Sequence, residues 1–143
     1  MVKRKKIILI VDDKRVVRSY LRAVVENNFD EYDLEVITAP SSDTALQIID
    51  RKKGNIDLIS TNIHRPGMDG YVFVNFVKFK YPQIKILICS GSAKTGDLKE
   101  MFEGKLVDAY IRKPIKEKDY AEKVRNIFES QNLVRLSFQG SPH

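Results

Sequence analysis

Hydrophobic residues in this chain occur either in short continuous runs or at intervals of three and four positions. The run at 6–11 (Lys-Ile-Ile-Leu-Ile-Val) is largely β-branched and unbroken, which predicts a strand buried on both faces. Directly after it, Val17, Leu21, Val24 and Val25 recur at helical spacing. The chain is therefore expected to begin with a buried strand followed by an amphipathic helix.

The same alternation continues along the chain. Strands are predicted at 6–11, 34–38, 56–61, 85–89 and 107–111. Helices are predicted at 14–28, from a cap at 41–43 to a stop at Gly54, at 71–80, at 97–103 and at 117–128. Residues 130–143 are expected to form a tail, part of which extends the last helix. This order of elements indicates an α/β protein with a parallel sheet covered by helices on both faces.

Length and composition narrow the class of protein. A chain of 143 residues suits one domain, and 43% hydrophobic with 31% charged residues excludes collagen-like and wholly disordered chains. The longest apolar run is too short to span a membrane, and Asp12 and Asp13 end it too early for a signal peptide, so a cytoplasmic protein is expected. The single cysteine, Cys89, excludes an intrachain disulfide and a multi-cysteine metal cluster.

The net charge of +6 introduces nucleic-acid binding as an alternative function. Basic residues are spread along the chain, however, and dense runs occur only at 3–6 and 51–53. Aromatic residues interleaved with the basic ones, and a recognition-helix pattern, are both missing from the sequence. The charge is therefore interpreted as solvated surface, with nucleic acid not favoured as a partner.

Polar side chains follow four of the five predicted strands. Asp12 and Asp13 follow the first, Asn62 the third, Ser90 the fourth and Lys113 the fifth. Because the carboxyl ends of parallel strands meet at one rim, these side chains are expected to converge. Two adjacent carboxylates repel unless a hard cation such as Mg²⁺ lies between them, and an ammonium with a hydroxyl suits phosphoryl oxygens. The pattern predicts an acidic pocket for a divalent ion and a phosphoryl group.

Four stretches of the chain resemble the receiver domains of two-component response regulators. They are 8–13 (Ile-Leu-Ile-Val-Asp-Asp), 57–70 (Asp-Leu-Ile-Ser-Thr-Asn-Ile-His-Arg-Pro-Gly-Met-Asp-Gly), 86–91 (Ile-Leu-Ile-Cys-Ser-Gly) and 109–114 (Ala-Tyr-Ile-Arg-Lys-Pro). All four occur in order and at the spacing typical of the family. The resemblance covers residues 5–129 and implies a flavodoxin-like three-layer sandwich with strand order 2-1-3-4-5, leaving 130–143 as a helix extension and tail.

The resemblance also implies a set of metal ligands. Asp13, helped by Asp12 through water, matches the acid pair that binds Mg²⁺, and the backbone carbonyl of His64 falls at a further ligand position. The simpler alternative is that the two acids cap the helix beginning near Lys14, where the helix dipole favours negative charge. The two roles are compatible.

Three more residues match the switching machinery of the family. Ser90 matches the hydroxyl that hydrogen-bonds the phosphoryl group, and Lys113 matches the ammonium that pairs with it. The bond from Lys113 to Pro114 is expected to be cis. Tyr110 matches the aromatic switch residue, with simple packing at the sheet edge as the alternative.

One departure outweighs these matches. Where the family has the phosphoaccepting aspartate, at the end of the third strand, this chain has Asn62. A carboxamide is uncharged and a poor nucleophile, so the site is predicted to be acceptor-null and its Mg²⁺ affinity weakened. Three explanations stay open: a naturally degenerate receiver, an introduced substitution, or another acceptor, of which Ser60, Thr61 and Asp69 are nearest.

The sequence therefore predicts a stand-alone receiver resembling the chemotaxis regulators. It is expected to signal by protein–protein interaction rather than as an enzyme. The partners implied by the resemblance are a histidine kinase or phosphotransfer protein and a downstream effector protein. The cognate kinase, the pathway and the oligomeric state are left open.

Overall fold

The structure is a computed structural model that describes residues 2–63, 70–91, 100 and 102–139, with side chains described up to Val134. Within these residues, five strands alternate with four helices. They are β1 Arg4–Val11, α1 Arg15–Asn28, β2 Tyr32–Ala39, α2 Ser42–Arg51, β3 Leu58–Asn62, α3 Gly70–Lys80, β4 Lys85–Ser90, β5 Ala109–Arg112 and α4 Glu117–Gln139.

The five strands form one sheet in the order β2-β1-β3-β4-β5. Every neighbouring pair is parallel. The α/β class and the strand order are confirmed. Because the winding direction reverses beside β1, helices cover both faces and the carboxyl ends of β1 and β3 lie at the switch point where such sheets bind ligands.

Strand β1 lies at the centre of the hydrophobic core. Ile8 and Ile10 pack with α1 and α4 on one face of the sheet. Ile7, Leu9 and Val11 pack with α2 and α3 on the other face. The five side chains are at most 3% exposed, so the burial on both faces that the sequence predicts is confirmed.

Helix α2 begins and ends with the local contacts expected from its sequence. The hydroxyl of Ser41 accepts the backbone N–H of Thr44 at 3.2 Å. Two residues past the helix's C-cap, Gly54 has φ +75°, and its N–H donates to the Ile49 carbonyl at 2.9 Å. These contacts satisfy backbone groups that the ends of the helix would otherwise leave without partners.

Strands β3 and β5 begin two residues later than the hydrophobic pattern predicts. Ile56 and Val107 are buried, as expected of strand residues, but they precede the strands. The next residues, Asp57 and Asp108, each accept a backbone N–H of the neighbouring strand with a carboxylate oxygen at 2.8 Å. The side chain thus takes a hydrogen bond that backbone pairing would otherwise make.

Helix α4 has 23 residues and continues beyond the predicted end at 128. Its extension is attached to the amino edge of the sheet by polar contacts. Gln131 donates to the Asp57 carbonyl at 2.8 Å and accepts from Lys6 Nζ at 3.0 Å. Lys6 is only 2% exposed, and its ammonium lies 5.2 Å from the centre of the Phe128 ring. These contacts are polar, so the hydrophobic periodicity from which the helix is predicted stops before the helix itself ends.

Several predictions concern parts of the chain outside the described residues. Of the helix expected at 97–103, only residues 100, 102 and 103 are described, and these are helical. His64 and Asp69 are outside the description, as are residues 140–143. Among the described residues, no helix is both long enough and apolar enough to cross a membrane.

Candidate functional site

The carboxyl ends of β1, β3, β4 and β5 lie side by side at one rim of the sheet. Asn62, the last residue of β3, is paired in register with Cys89 on β4. Ser90, the last residue of β4, is paired with Arg112 on β5. Thr61 is paired with the last residue of β1. The residues predicted for the pocket therefore follow neighbouring strands at matching heights.

Lys113 and Asp12 form an ion pair across this rim. Lys113 follows β5, Asp12 follows β1, and Nζ lies 3.2 Å from Oδ2. Between β1 and β5 the sheet has three interstrand spacings of about 4.8 Å each. The two side chains therefore reach across the ends of β3 and β4, which brings Asp12, Asn62, Ser90 and Lys113 to one pocket.

Asp12 is held from several sides. It is 1% exposed, and its second carboxylate oxygen, Oδ1, accepts the backbone N–H of Lys14 at 2.9 Å. Its carbonyl accepts from the Arg18 guanidinium at 2.8 Å. The contact with Lys14 spans two residues, so Asp12 stabilises the turn into α1 without capping the helix itself. Asp13, by contrast, is exposed to solvent.

Asn62 and Ser90 lie at the ends of β3 and β4, between the strands that lead to Asp12 and Lys113. Asn62 is 6% exposed and Ser90 is 1% exposed. The Ser90 carbonyl accepts the backbone N–H of Lys113 at 2.9 Å, and the Lys113–Pro114 peptide bond is cis, as the sequence predicts. The backbone of Lys113 is thus hydrogen-bonded to the end of β4 where the chain leaves β5, and its side chain reaches Asp12.

A buried polar cluster lies below the pocket, and the sequence patterns do not predict it. The Tyr120 hydroxyl on α4 donates to Ser60 Oγ on β3 at 2.8 Å, and Ser60 Oγ lies 3.6 Å from Cys89 Sγ on β4. The hydrophobic pattern predicts the helix at 117–128 that carries Tyr120 but no partner for its hydroxyl, and Ser60 enters the sequence prediction only as an alternative phosphate acceptor. A serine inside an apolar strand is the one signal in the sequence that points to such a cluster, because a buried hydroxyl needs a partner.

Burial sets the protonation of this cluster. It raises the pKa of the Cys89 thiol to about 12, against an ordinary value of 9.0, although the hydrogen bond with Ser60 acts in the opposite direction. Burial also raises the pKa of the Tyr120 phenol well above its ordinary 10.0. Both groups are protonated and neutral at physiological pH. Cys89 therefore behaves as a small buried hydrophobe.

The chain matches a known protein family over most of its length. A family model described as the response regulator receiver domain matches residues 8–125. The chain belongs to this family. The match includes the second half of β1, the rim residues and the part of α4 that carries Tyr120, so the whole pocket lies within the receiver domain.

Relatives with curated descriptions and solved structures agree with this assignment. The heme response regulator HssR of Staphylococcus aureus (strain MRSA252) is 23% identical over 125 residues, which are 87% of this chain and 52% of that protein. The chain thus spans about half the length of the curated relatives it matches.

Two crystal structures show the same fold at low sequence identity. A response regulator receiver domain protein from Clostridium thermocellum has a TM-score of 0.79 at 22% identity, covering 90% of this chain and 98% of that chain. The signal receiver domain of a putative Luxo repressor protein from Vibrio parahaemolyticus has a TM-score of 0.81 at 18% identity, covering 97% and 99%. At these identities the likeness concerns the fold alone.

Receiver domains generally bind Mg²⁺ at the phosphorylation site, and the ligand donors that the structure describes here do not fit that ion as they stand. Both carboxylate oxygens of Asp12 are engaged by groups of the chain itself. In the part of the chain that the structure describes, no group of three or more His, Cys, Asp or Glu side chains lies close enough to hold a metal. His64, whose carbonyl is the further ligand expected from the sequence, is outside that part.

Tyr110 lies on β5, at the edge of the receiver sheet. It is half-buried against the core and meets Phe102 edge-on, with ring centroids 5.9 Å apart and an interplanar angle of 76°. This contact agrees with the packing role that the sequence leaves open for Tyr110. Its role as a switch stays a prediction.

Proposed function

We propose that this chain is a receiver module of two-component signalling that binds partner proteins and does not accept a phosphoryl group. The observation that carries the proposal is the amide of Asn62 at the carboxyl end of β3, next to the Lys113–Asp12 ion pair. The likeness to receiver domains supplies the signalling context, and the chemistry of the amide supplies the departure from it.

The chemical reason lies in the electron distribution of the amide. A carboxylate attacks phosphorus through a charged oxygen and forms an acyl phosphate. The Asn62 side chain has no charge, and its nitrogen lone pair is delocalised into the carbonyl. Replacing a carboxylate about 4 Å from a cation also removes roughly 4 kcal/mol of Coulomb attraction at an effective dielectric of 20, so Mg²⁺ affinity falls as well.

The alternative acceptors have poor access. Ser60 is 1% exposed, and its hydroxyl oxygen already accepts from Tyr120. Thr61 is fully buried, at 0% exposed. A phosphoryl donor reaches neither side chain without opening the sheet. Asp69 lies outside the described residues, and the experiment below tests whether it accepts a phosphoryl group.

We expect the docking surface to be formed by β4, the helix predicted at 97–103, β5 and α4. A groove with a volume of about 490 Å³ lies there, lined among others by Lys85, Tyr110 and Lys123. In the proposed function this face binds a downstream effector, and a histidine kinase or phosphotransfer protein is the upstream partner. A two-component module of this kind acts in the cytoplasm by binding, without catalytic turnover.

The test is incubation with Mg²⁺ and acetyl phosphate followed by intact mass measurement. The wild-type chain is expected to gain no mass, whereas Asn62→Asp is expected to gain one phosphoryl group. The matched control is Asn75→Asp, which adds a carboxylate on the exposed face of α3 and is expected to stay unlabelled. A phosphoryl group on the wild-type chain overturns the proposal, and removal of that label by Asp69→Asn would identify the acceptor.

A further inference from the structure

The pocket contains a cation of its own. Lys113 Nζ lies 3.2 Å from Oδ2 of Asp12, and the Asp12 side chain is 2% exposed while that of Lys113 is 23% exposed. The other oxygen of Asp12 accepts the Lys14 N–H. Each oxygen of the buried carboxylate therefore has a hydrogen-bonding partner within the chain, and one of these partners is a cation.

The substitution at the end of β3 explains why Lys113 is available to Asp12. Asn62 and Ser90, over whose strands the lysine passes, are both uncharged. Asp13, the other acid of the pair, is exposed and hence well solvated. Among the described residues, Asp12 is thus the buried carboxylate at this rim with which an ammonium can pair. A buried pair is screened by salt much less than a surface pair.

We propose that Lys113 takes the place of the divalent ion in this pocket, so that the Lys113–Asp12 pair holds the receiver in a metal-independent state. The inference rests on the proposed function and deepens it, because it names what controls the pocket in a receiver without a charged acceptor. A divalent ion that binds here must displace the Lys113 ammonium from Asp12. The ammonium then lies close to the positive charge of the ion. Lys113 is then a positioning residue whose removal favours metal binding.

The test is a Mg²⁺ titration of the full chain by isothermal titration calorimetry, with the thermal unfolding midpoint in Mg²⁺ and in EDTA as a second readout. The wild-type midpoint is expected to be the same in both. Lys113→Met is expected to bind Mg²⁺ at least tenfold more tightly than the wild-type chain and to unfold at a higher temperature in Mg²⁺. Lys116→Met, which removes the same charge at an exposed position nearby, is the matched control and is expected to bind like the wild type.

Two outcomes would overturn the inference. One is Lys113→Met binding Mg²⁺ no more tightly than the wild-type chain, and the other is an equal gain in Lys116→Met. If Lys113→Met does not fold, Lys113→Gln tests the same point with a polar side chain of similar length. The phosphorylation assay is independent of this titration. Labelling of the wild-type chain would contradict the proposed function alone, and the absence of a gain in Mg²⁺ affinity would contradict this inference alone.

Discussion

The hydroxyl of Tyr120 connects helix α4 to the strand that carries Asn62. Tyr120 is fully buried, and its hydroxyl donates to Ser60 Oγ at 2.8 Å. Tyr120→Phe keeps the ring and its packing and removes only this donor. Ser60 keeps its weaker contact with Cys89, at 3.6 Å.

The expected costs follow from the burial of both partners. A hydrogen bond of this kind contributes about 1 kcal/mol net, so Tyr120→Phe should lower the free energy of unfolding by about 1–2 kcal/mol. Ser60→Ala leaves a buried phenol hydroxyl without its acceptor and should cost about 1–3 kcal/mol. In the double variant no donor is left unsatisfied, so its cost should be smaller than the sum by about 1 kcal/mol or more.

The assay is equilibrium unfolding in urea, with the midpoints compared at a common slope. Tyr20→Phe is the matched control, because the Tyr20 hydroxyl donates to the Ile115 carbonyl at 3.0 Å on the surface. Its effect should stay within about 0.5 kcal/mol. The reasoning is refuted if Tyr120→Phe costs no more than Tyr20→Phe, or if the effects of Tyr120→Phe and Ser60→Ala simply add.

Other contacts are testable by the same unfolding measurements. The unfolded chain loses the Cys89 proton above pH 9.0 while the folded chain keeps it to about 12, so stability should fall as pH rises through this window. The slope due to Cys89 should be at most about 1.4 kcal/mol per pH unit and absent from Cys89→Ala; equal slopes in both chains would contradict it. Gly54→Ala should cost more than about 1 kcal/mol, since φ is +75° and the new Cβ would lie 2.2 Å from the Tyr81 ring; an unchanged midpoint would contradict this. Ser41→Ala should cost about 1 kcal/mol by removing the cap on Thr44, and an equal loss in Ser41→Asn would show that capping is not the cause.

The fold could be predicted from the sequence because hydrophobic burial dominates its elements. The run at 6–11 is buried on both faces, and the alternation of strands and helices predicts the α/β class. The strand order was implied by the resemblance to receiver domains, and it too agrees with the structure. The boundaries were harder to predict where polar groups define them. Asp57 and Asp108 accept backbone hydrogen bonds just before their strands, and Gln131 attaches the extension of α4 through contacts that leave no apolar period.

The pocket was only partly visible in the sequence. The residues of the pocket could be assigned to one site from the sequence because the ends of parallel strands meet at one rim. The resemblance to receiver domains pairs Lys113 with a phosphoryl group, whereas its ion pair with Asp12 depends on side chains reaching across two strands. The contact between Tyr120 and Ser60 joins residues 60 positions apart, and no spacing rule relates a helix residue to a strand residue at that separation.

The central claim is that this receiver has an intact pocket without a nucleophile, and the stability of the phosphoryl bond tests it most directly. Wild-type chain and Asn62→Asp are incubated with acetyl phosphate and Mg²⁺, and intact masses are measured before and after treatment with hydroxylamine, which cleaves acyl phosphates but not phosphoesters. The account predicts one hydroxylamine-sensitive phosphoryl group on Asn62→Asp and none on the wild-type chain. A phosphoryl group of either kind on the wild-type chain, or a failure of Asn62→Asp to label, would contradict it.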